Sequence, residues 1–254
     1  MTADLIAHYD EQSEGTRLTR SPHGRLEYLR TQELLRAALP TSGARILDVG
    51  GATGIHAEWL AADGHQVHVL DLVPSHVAAS AGLPGVTAEL ADARTLPCAD
   101  ASVDAVLLLG PLYHLRDPAD RRQALRSAHR VLRPGGVLAA AGISRYMGLL
   151  EAGAGMVDAP TGALRTVIDT GHYDGHAGFM PAHFHTAAEL RTEVESAGFA
   201  DVIVYGVEGP SWPALDVAGE FDSRRDAALR CARLVERDPL LINASAHLLA
   251  ITRR

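Results

Sequence analysis

The chain has 254 residues and a formal net charge of -8, and all 23 of its basic residues are arginine. Without lysine there can be no side-chain Schiff base, no Walker A phosphate loop and no Tyr-x-x-x-Lys pair of the short-chain dehydrogenase type. The acidic balance argues against broad nucleic-acid binding, which needs a basic surface.

Two cysteines, Cys98 and Cys231, make neither a disulfide framework nor a metal pattern, so a cytoplasmic setting is expected. The N-terminus shows no apolar leader core and no apolar run reaches membrane-spanning length, so membrane insertion is not expected. The length suits a single domain over 1–254.

Residues 1–25 are polar and end in a turn-like Ser21-Pro22-His23-Gly24, so they read as an arm. Leu26, Leu29, Leu34, Leu35 and Leu39 space an amphipathic helix over 26–39, completing an N-terminal part over 1–43. A short apolar strand follows from Arg45 to Val49, then a glycine loop and a helix over about 54–62. Gln66 to Leu70 is a strand closed by Asp71, Pro74 opens a helix, and Val86 to Leu90 is a third strand. Val103 to Leu109 is nearly all apolar, as in a strand buried on both faces of a parallel sheet. Asp117 and Pro118 start a helix that Pro134, Gly135 and Gly136 end, and Val137 to Ile143 closes a core over 44–143.

The periodicity weakens over 144–181, which reads as a lid or binding insertion extending to 185. Thr186 and Glu189 form a capping box for a helix ended by Gly198. A strand over Asp201 to Tyr205, a helix capped by Asp222 or Ser223 and running through Val235, and a strand over His247 to Thr252 complete the part over 186–254. Strands alternating with helices predict an α/β fold with a parallel sheet and right-handed crossovers.

The segment Asp48-Val49-Gly50-Gly51-Ala52-Thr53-Gly54 joins the first strand to the first core helix. Glycine there lets backbone approach a ligand, and the helix N-terminus offers free N–H groups. The Gly-x-Gly-x-x-Gly spacing of dinucleotide sites fails, because Ala52 and Ile55 occupy its later glycine positions. The loop instead resembles the Asp-x-Gly-x-Gly-x-Gly motif of class I S-adenosylmethionine-dependent methyltransferases, with Ala52 at the middle glycine. Asp71 after the second strand, Asp92-Ala93 after the third, the run Val103 to Leu115 and the segment Leu132-Arg133-Pro134-Gly135-Gly136 extend the resemblance in order. It is closest to small-molecule methyltransferases of the ubiquinone/menaquinone-biosynthesis type.

That resemblance implies a Rossmann-like sheet of seven mostly parallel strands, helices on both faces, the last strand antiparallel, an N-terminal helical arm and a lid insertion. It implies S-adenosyl-L-methionine as cofactor, with S-adenosyl-L-homocysteine as product. Asp48, Gly50, Gly51 and Gly54 would form the loop around its methionine part, Asp71 and Leu72 would hold the ribose, and Asp92 and Ala93 the adenine. Leu109 and Gly110 would pass under the reacting centre, and Tyr9, Arg17 and Arg25 of the arm would cover the cofactor and grip its carboxylate.

For the acceptor, Tyr113, His114, Tyr146, Tyr173, Phe179, Met180 and His183 are candidate binding residues. His114 is read either as a general base or as a ring packed over the cofactor, and His185 is a second candidate base. No metal site is expected, since Gly171 and Gly175 flank the pair His172 and His176 and disfavour a helix. The expected activity is methyl transfer to a small organic acceptor, in specialised metabolism, with no nucleic-acid partner. A non-catalytic cofactor-binding protein and a nicotinamide oxidoreductase remain alternatives, and monomer and homodimer are equally open.

Overall fold

A computed structural model describes residues 17–175 and 179–254 of the chain. Helix starts sooner than the periodicity suggested. After one turn, α1 (Arg17–Arg20), Ser21 is extended and its Oγ accepts the Gly24 N–H at 3.1 Å. Pro22 fills the first helical position, so the segment read as a turn opens α2 (Pro22–Ala38).

The sheet then assembles as expected. β1 (Arg45–Val49), β2 (Gln66–Asp71), β3 (Val86–Leu90), β4 (Val103–Leu108) and β5 (Leu132–Ile143) are parallel. Their crossovers carry α3 (Ile55–Ala62), α4 (Pro74–Ala81), the short α5 (Pro111–His114), and α6 (Pro118–Val131), whose cap Asp117 accepts the Ala119 N–H at 2.8 Å.

The insertion is more ordered than its sequence suggested. It holds α7 (Met147–Gly153), α8 (Thr161–Thr170), and a ribbon of β6 (His172–Tyr173) with β7 (Ala182–His183). No residue of α7 is fully buried, although Met147 and Leu150 pack partly buried against the core, and α8 fully buries only Val167.

The Thr186–Glu189 capping box opens α9 (Ala187–Ser196), which leads to β8 (Ala200–Gly206). Two helices follow, α10 (Trp212–Ala218) and α11 (Phe221–Val235). Neither Asp222 nor Ser223 caps α11; Glu220 precedes it without a side-chain cap, and Phe221 is already helical. β9 (His247–Arg253) runs antiparallel between β5 and β8, giving the order β3-β2-β1-β4-β5-β9-β8.

Successive strand residues face opposite layers, as the period of two requires. Leu47, Val49, Val106 and Leu108 pack with Leu125 of α6 and Leu190 of α9, whereas Ile46, Ala105 and Leu107 pack with Leu35 of α2 and Leu60 of α3. Both faces are covered, so the free space for a ligand lies at the sheet's carboxyl edge. Among the described residues no helix is long and apolar enough to cross a membrane.

Candidate functional site

At the carboxyl end of β1 the chain turns at Gly50, with φ +69°. A Cβ there would lie 2.8 Å from Cγ of Pro111 in α5. Gly51 passes over Asp48 so closely that a Cβ would lie 2.6 Å from its Oδ2. Ala52 has φ +48°, a left-handed conformation that costs a residue with a Cβ about 1–2 kcal/mol. Its N–H is donated to Oδ2 of Asp71 at 2.9 Å, which holds the turn in place. Gly54 closes the loop as the N-cap of α3.

Asp71 joins the loop to the next crossover, because its Oδ1 also accepts the Val73 N–H at 2.9 Å. A carboxylate has about four lone-pair positions, so Asp71 keeps acceptor capacity for a ligand. His76, on α4, lies 3.4 Å from Oδ1.

Beneath the loop, Asp48 is 1% exposed, and among the described residues neither of its oxygens has a donor. Burial, reinforced by the nearby Asp71, pushes its carboxyl up to about 7.

A cleft opens above these turns with about 930 Å³ of empty space, continuous with solvent. Gly50, Asp71, Leu72, Asp92, Ala93 and Gly110 line it, as do Tyr113 and His114. Asp48, Gly51, Gly54 and Leu109 are outside this lining: Asp48 and Gly54 are buried, Gly51 is half-buried over Asp48, and Leu109 packs against the core.

Asp92 also departs from expectation. Hydrogen bonds from Arg94, at 2.6 Å from Nη2, hold its carboxyl below the usual range, and Arg94 extends to Asp120 at 3.1 Å. A ligand ring at this wall meets an ion pair and not an isolated carboxylate.

Arg25 lies on α2, where its guanidinium stacks 4.3 Å from the Phe221 ring and pairs with Asp222 at 2.7 Å, and it does not line the cleft. Tyr9 and His176 lie outside the described residues, as does the side chain of Arg17.

Several acceptor candidates do converge. The Tyr113 and His114 rings are 4.6 Å apart, and Phe179 lies 6.3 Å from the first and 5.7 Å from the second. Tyr173 is 6.0 Å from Phe179 and stacks on Phe184 at 5.0 Å. The cleft wall thus continues into an aromatic cluster under the ribbon. Met180 follows Phe179 and is half-buried. Tyr146 stands apart from these ring pairs as the N-cap of α7, its N–H donated to Ser144 Oγ at 3.2 Å.

His185 does not line the cleft. It is 0% exposed, and its Nε2 lies 3.3 Å from Glu193, which Arg121 grips at 2.7 Å. Although burial opposes it, the hydrogen bonds from His185 and Arg121 bring the Glu193 carboxyl down to about 2. His183 packs edge-on against His185 at 4.6 Å, outside the cleft lining. Burial, then the charges of His185 and Arg121, push it down to about 3, so it is neutral at pH 7.

The sequence reading missed His76, Arg94 and Pro111. Arg94 is two residues past Asp92, a spacing that permits a local ion pair; His76 and Pro111 carried no signal beyond their place after a strand.

The family described as a methyltransferase domain matches residues 47–140, the segment that builds the loop and cleft. Over that segment, somewhat more than a third of the chain, this protein is similar to a methyltransferase domain. An uncharacterised methyltransferase of Mycobacterium tuberculosis is 40% identical over 101 residues, covering 39% of this chain and 40% of that protein. A ubiquinone/menaquinone biosynthesis C-methyltransferase of Rubrivivax gelatinosus is 36% identical over 107 residues, 41% of each. The chain therefore spans less than half the length of these relatives. A solved S-adenosylmethionine-dependent methyltransferase from Mesorhizobium loti shares the fold with a TM-score of 0.62, at 24% identity, covering 90% of this chain and all of that one.

The residues present fit S-adenosylmethionine. Gly50 and Ala52 bring backbone to the cleft wall, and Asp71 beside them keeps acceptor capacity for ribose hydroxyls.

Proposed function

We propose that the protein transfers the methyl group of S-adenosylmethionine to a small organic acceptor. The observation that carries this reading is the continuity between the glycine-loop cleft and the aromatic cluster of Tyr113, His114 and Phe179. The cofactor supplies a methyl group on a sulfonium, already a good leaving group, so positioning of the acceptor accounts for much of the acceleration.

In this reading Gly50 and Ala52 hold the methionine part, Asp71 accepts from the ribose hydroxyls, and Ala93 with the Asp92–Arg94 pair borders the adenine. Tyr113 and Phe179 present ring faces and edges to the acceptor, which favours a flat, largely apolar molecule. His114, on the cleft wall, takes the proton of a hydroxyl or ammonium acceptor.

Titration calorimetry with S-adenosylmethionine and S-adenosylhomocysteine tests the first half; failure of both to bind at high micromolar concentration refutes the reading. Incubation with labelled cofactor and a panel of aromatic hydroxyl and amine compounds tests the second. Binding without transfer to any of them would support a non-catalytic cofactor-binding protein, a role to which the strained Ala52 also points.

A further inference from the structure

The arginines that border the cleft and its ribbon differ in what they meet. Arg94 pairs with Asp92 and Asp120. Arg121 holds Glu193 and donates to the carbonyls of Leu115 and Arg116 at 2.9 Å. Arg145 pairs with Glu189 and donates to the carbonyls of Ile168 and Asp169. The charges of these three are neutralised within the fold.

Arg116 is in a different state. It lies between α5 and α6, two residues past His114, and is half-buried. Among the described residues it makes no ion pair, and its buried Nε has no acceptor. Its Nη2 lies 2.7 Å from Nε2 of His172, on β6. Asp174 Oδ1 lies 2.8 Å from that same Nε2.

A ring nitrogen offers either a lone pair or an N–H, so Nε2 of His172 serves one of these neighbours at a time. When it donates to Asp174, the Arg116 guanidinium has no acceptor among the described residues. Asp174 is 80% exposed, so water screens its charge and it does little to neutralise Arg116. A half-buried guanidinium in that state is stabilised by an anion that supplies two oxygens.

The position points to what that anion belongs to. His114 and Leu115, just before Arg116, line the cleft. His172 precedes Tyr173, whose ring is 6.0 Å from Phe179, and Phe179 lies 5.7 Å from His114. The Arg116–His172 contact therefore joins the cleft wall to the ribbon at the border of the aromatic cluster. A ring bound in that cluster has Arg116 as a cationic neighbour.

We propose that the methyl acceptor carries an anionic group, a carboxylate or a phosphate, which Arg116 binds while the acceptor ring lies against Tyr113 and Phe179. This rests on the aromatic cluster being the acceptor site. Nε–H and Nη2–H of Arg116 are parallel donors spaced for two oxygens. The exposed His172 imidazole stands at that edge and yields it by turning to Asp174.

The test saturates the full chain with S-adenosylhomocysteine and titrates it by calorimetry with phenol, para-hydroxybenzoate or phenyl phosphate. At least one anion should bind about tenfold or more tightly than phenol, and which of the two does so tells carboxylate from phosphate. Arg116→Gln should bring the anions to the affinity of phenol, whereas Arg116→Lys keeps part of the preference. In a crystal soaked with the tighter anion, its charged oxygens should lie against Arg116. Equal affinities in the wild type, no saturable binding of either anion, or an Arg116→Gln variant that weakens all three probes alike overturns the proposal alone. Failure of S-adenosylhomocysteine to bind, seen before any probe is added, overturns the methyl-transfer reading and the proposal with it.

Discussion

Asp48→Asn is the most direct test of the loop's electrostatics. In the folded chain burial and Asp71 push the Asp48 carboxyl from 3.8 up to about 7. Between those values the folded state holds a proton that the unfolded state has released. Stability contributed by Asp48 therefore falls as pH rises through this window and is flat above it. The full displacement corresponds to about 4 kcal/mol, of which about 2 to 3 kcal/mol falls between pH 5 and 8.

Asparagine keeps the shape beneath Gly51 but cannot ionise. Urea denaturation of wild type and Asp48→Asn at several pH values should show the variant gaining that amount, relative to wild type, from pH 5 to 8. Parallel stability curves would refute the picture of a buried carboxylate without a donor. At pH 8 the variant should also lose more affinity for S-adenosylmethionine than for S-adenosylhomocysteine, since only the former carries the sulfonium charge.

Other outcomes follow from the same geometry. Ala52→Gly should relieve the left-handed strain and stabilise by about 0.5–1 kcal/mol, after allowing for the looser unfolded chain, as read by chemical denaturation. Glu193→Gln should destabilise by about 3 kcal/mol, because it leaves the buried Arg121 without its counter-charge, while calorimetry finds cofactor affinity unchanged. His183→Asn should flatten the acid limb of the stability curve: wild type holds the full His183 contribution above pH 6.5 and loses it as pH falls toward about 3. That window overlaps Asp48's with the opposite slope, so the two contributions offset each other in wild type and only the single variants expose them.

The parts of the fold that could be read from the chain are those decided by neighbours in sequence. β1 and β2 are apolar runs ending in a turn, and the Thr186–Glu189 box caps α9 through contacts three residues apart. The start of α2 was equally local, since a serine followed by proline is a helix start as well as a turn. The insertion was opaque because its short helices fully bury only Val167, so the apolar period is weak. Arg25 illustrates the limit at the site: its partner Asp222 lies 197 positions away, and no spacing rule connects them.

The amino-acid order thus settled the strand–loop–helix unit and the acids at the ends of β1 and β2 and just past β3, because turns, caps and close backbone approach depend on a few consecutive residues. Folding in three dimensions settled what each charge meets. It left Asp48 without a donor among the described residues, committed Asp92 to Arg94, and buried His185 beside Glu193. Desolvation and ion pairing depend on distance in space, and the chain brings those groups together only when the sheet and its covering helices have packed.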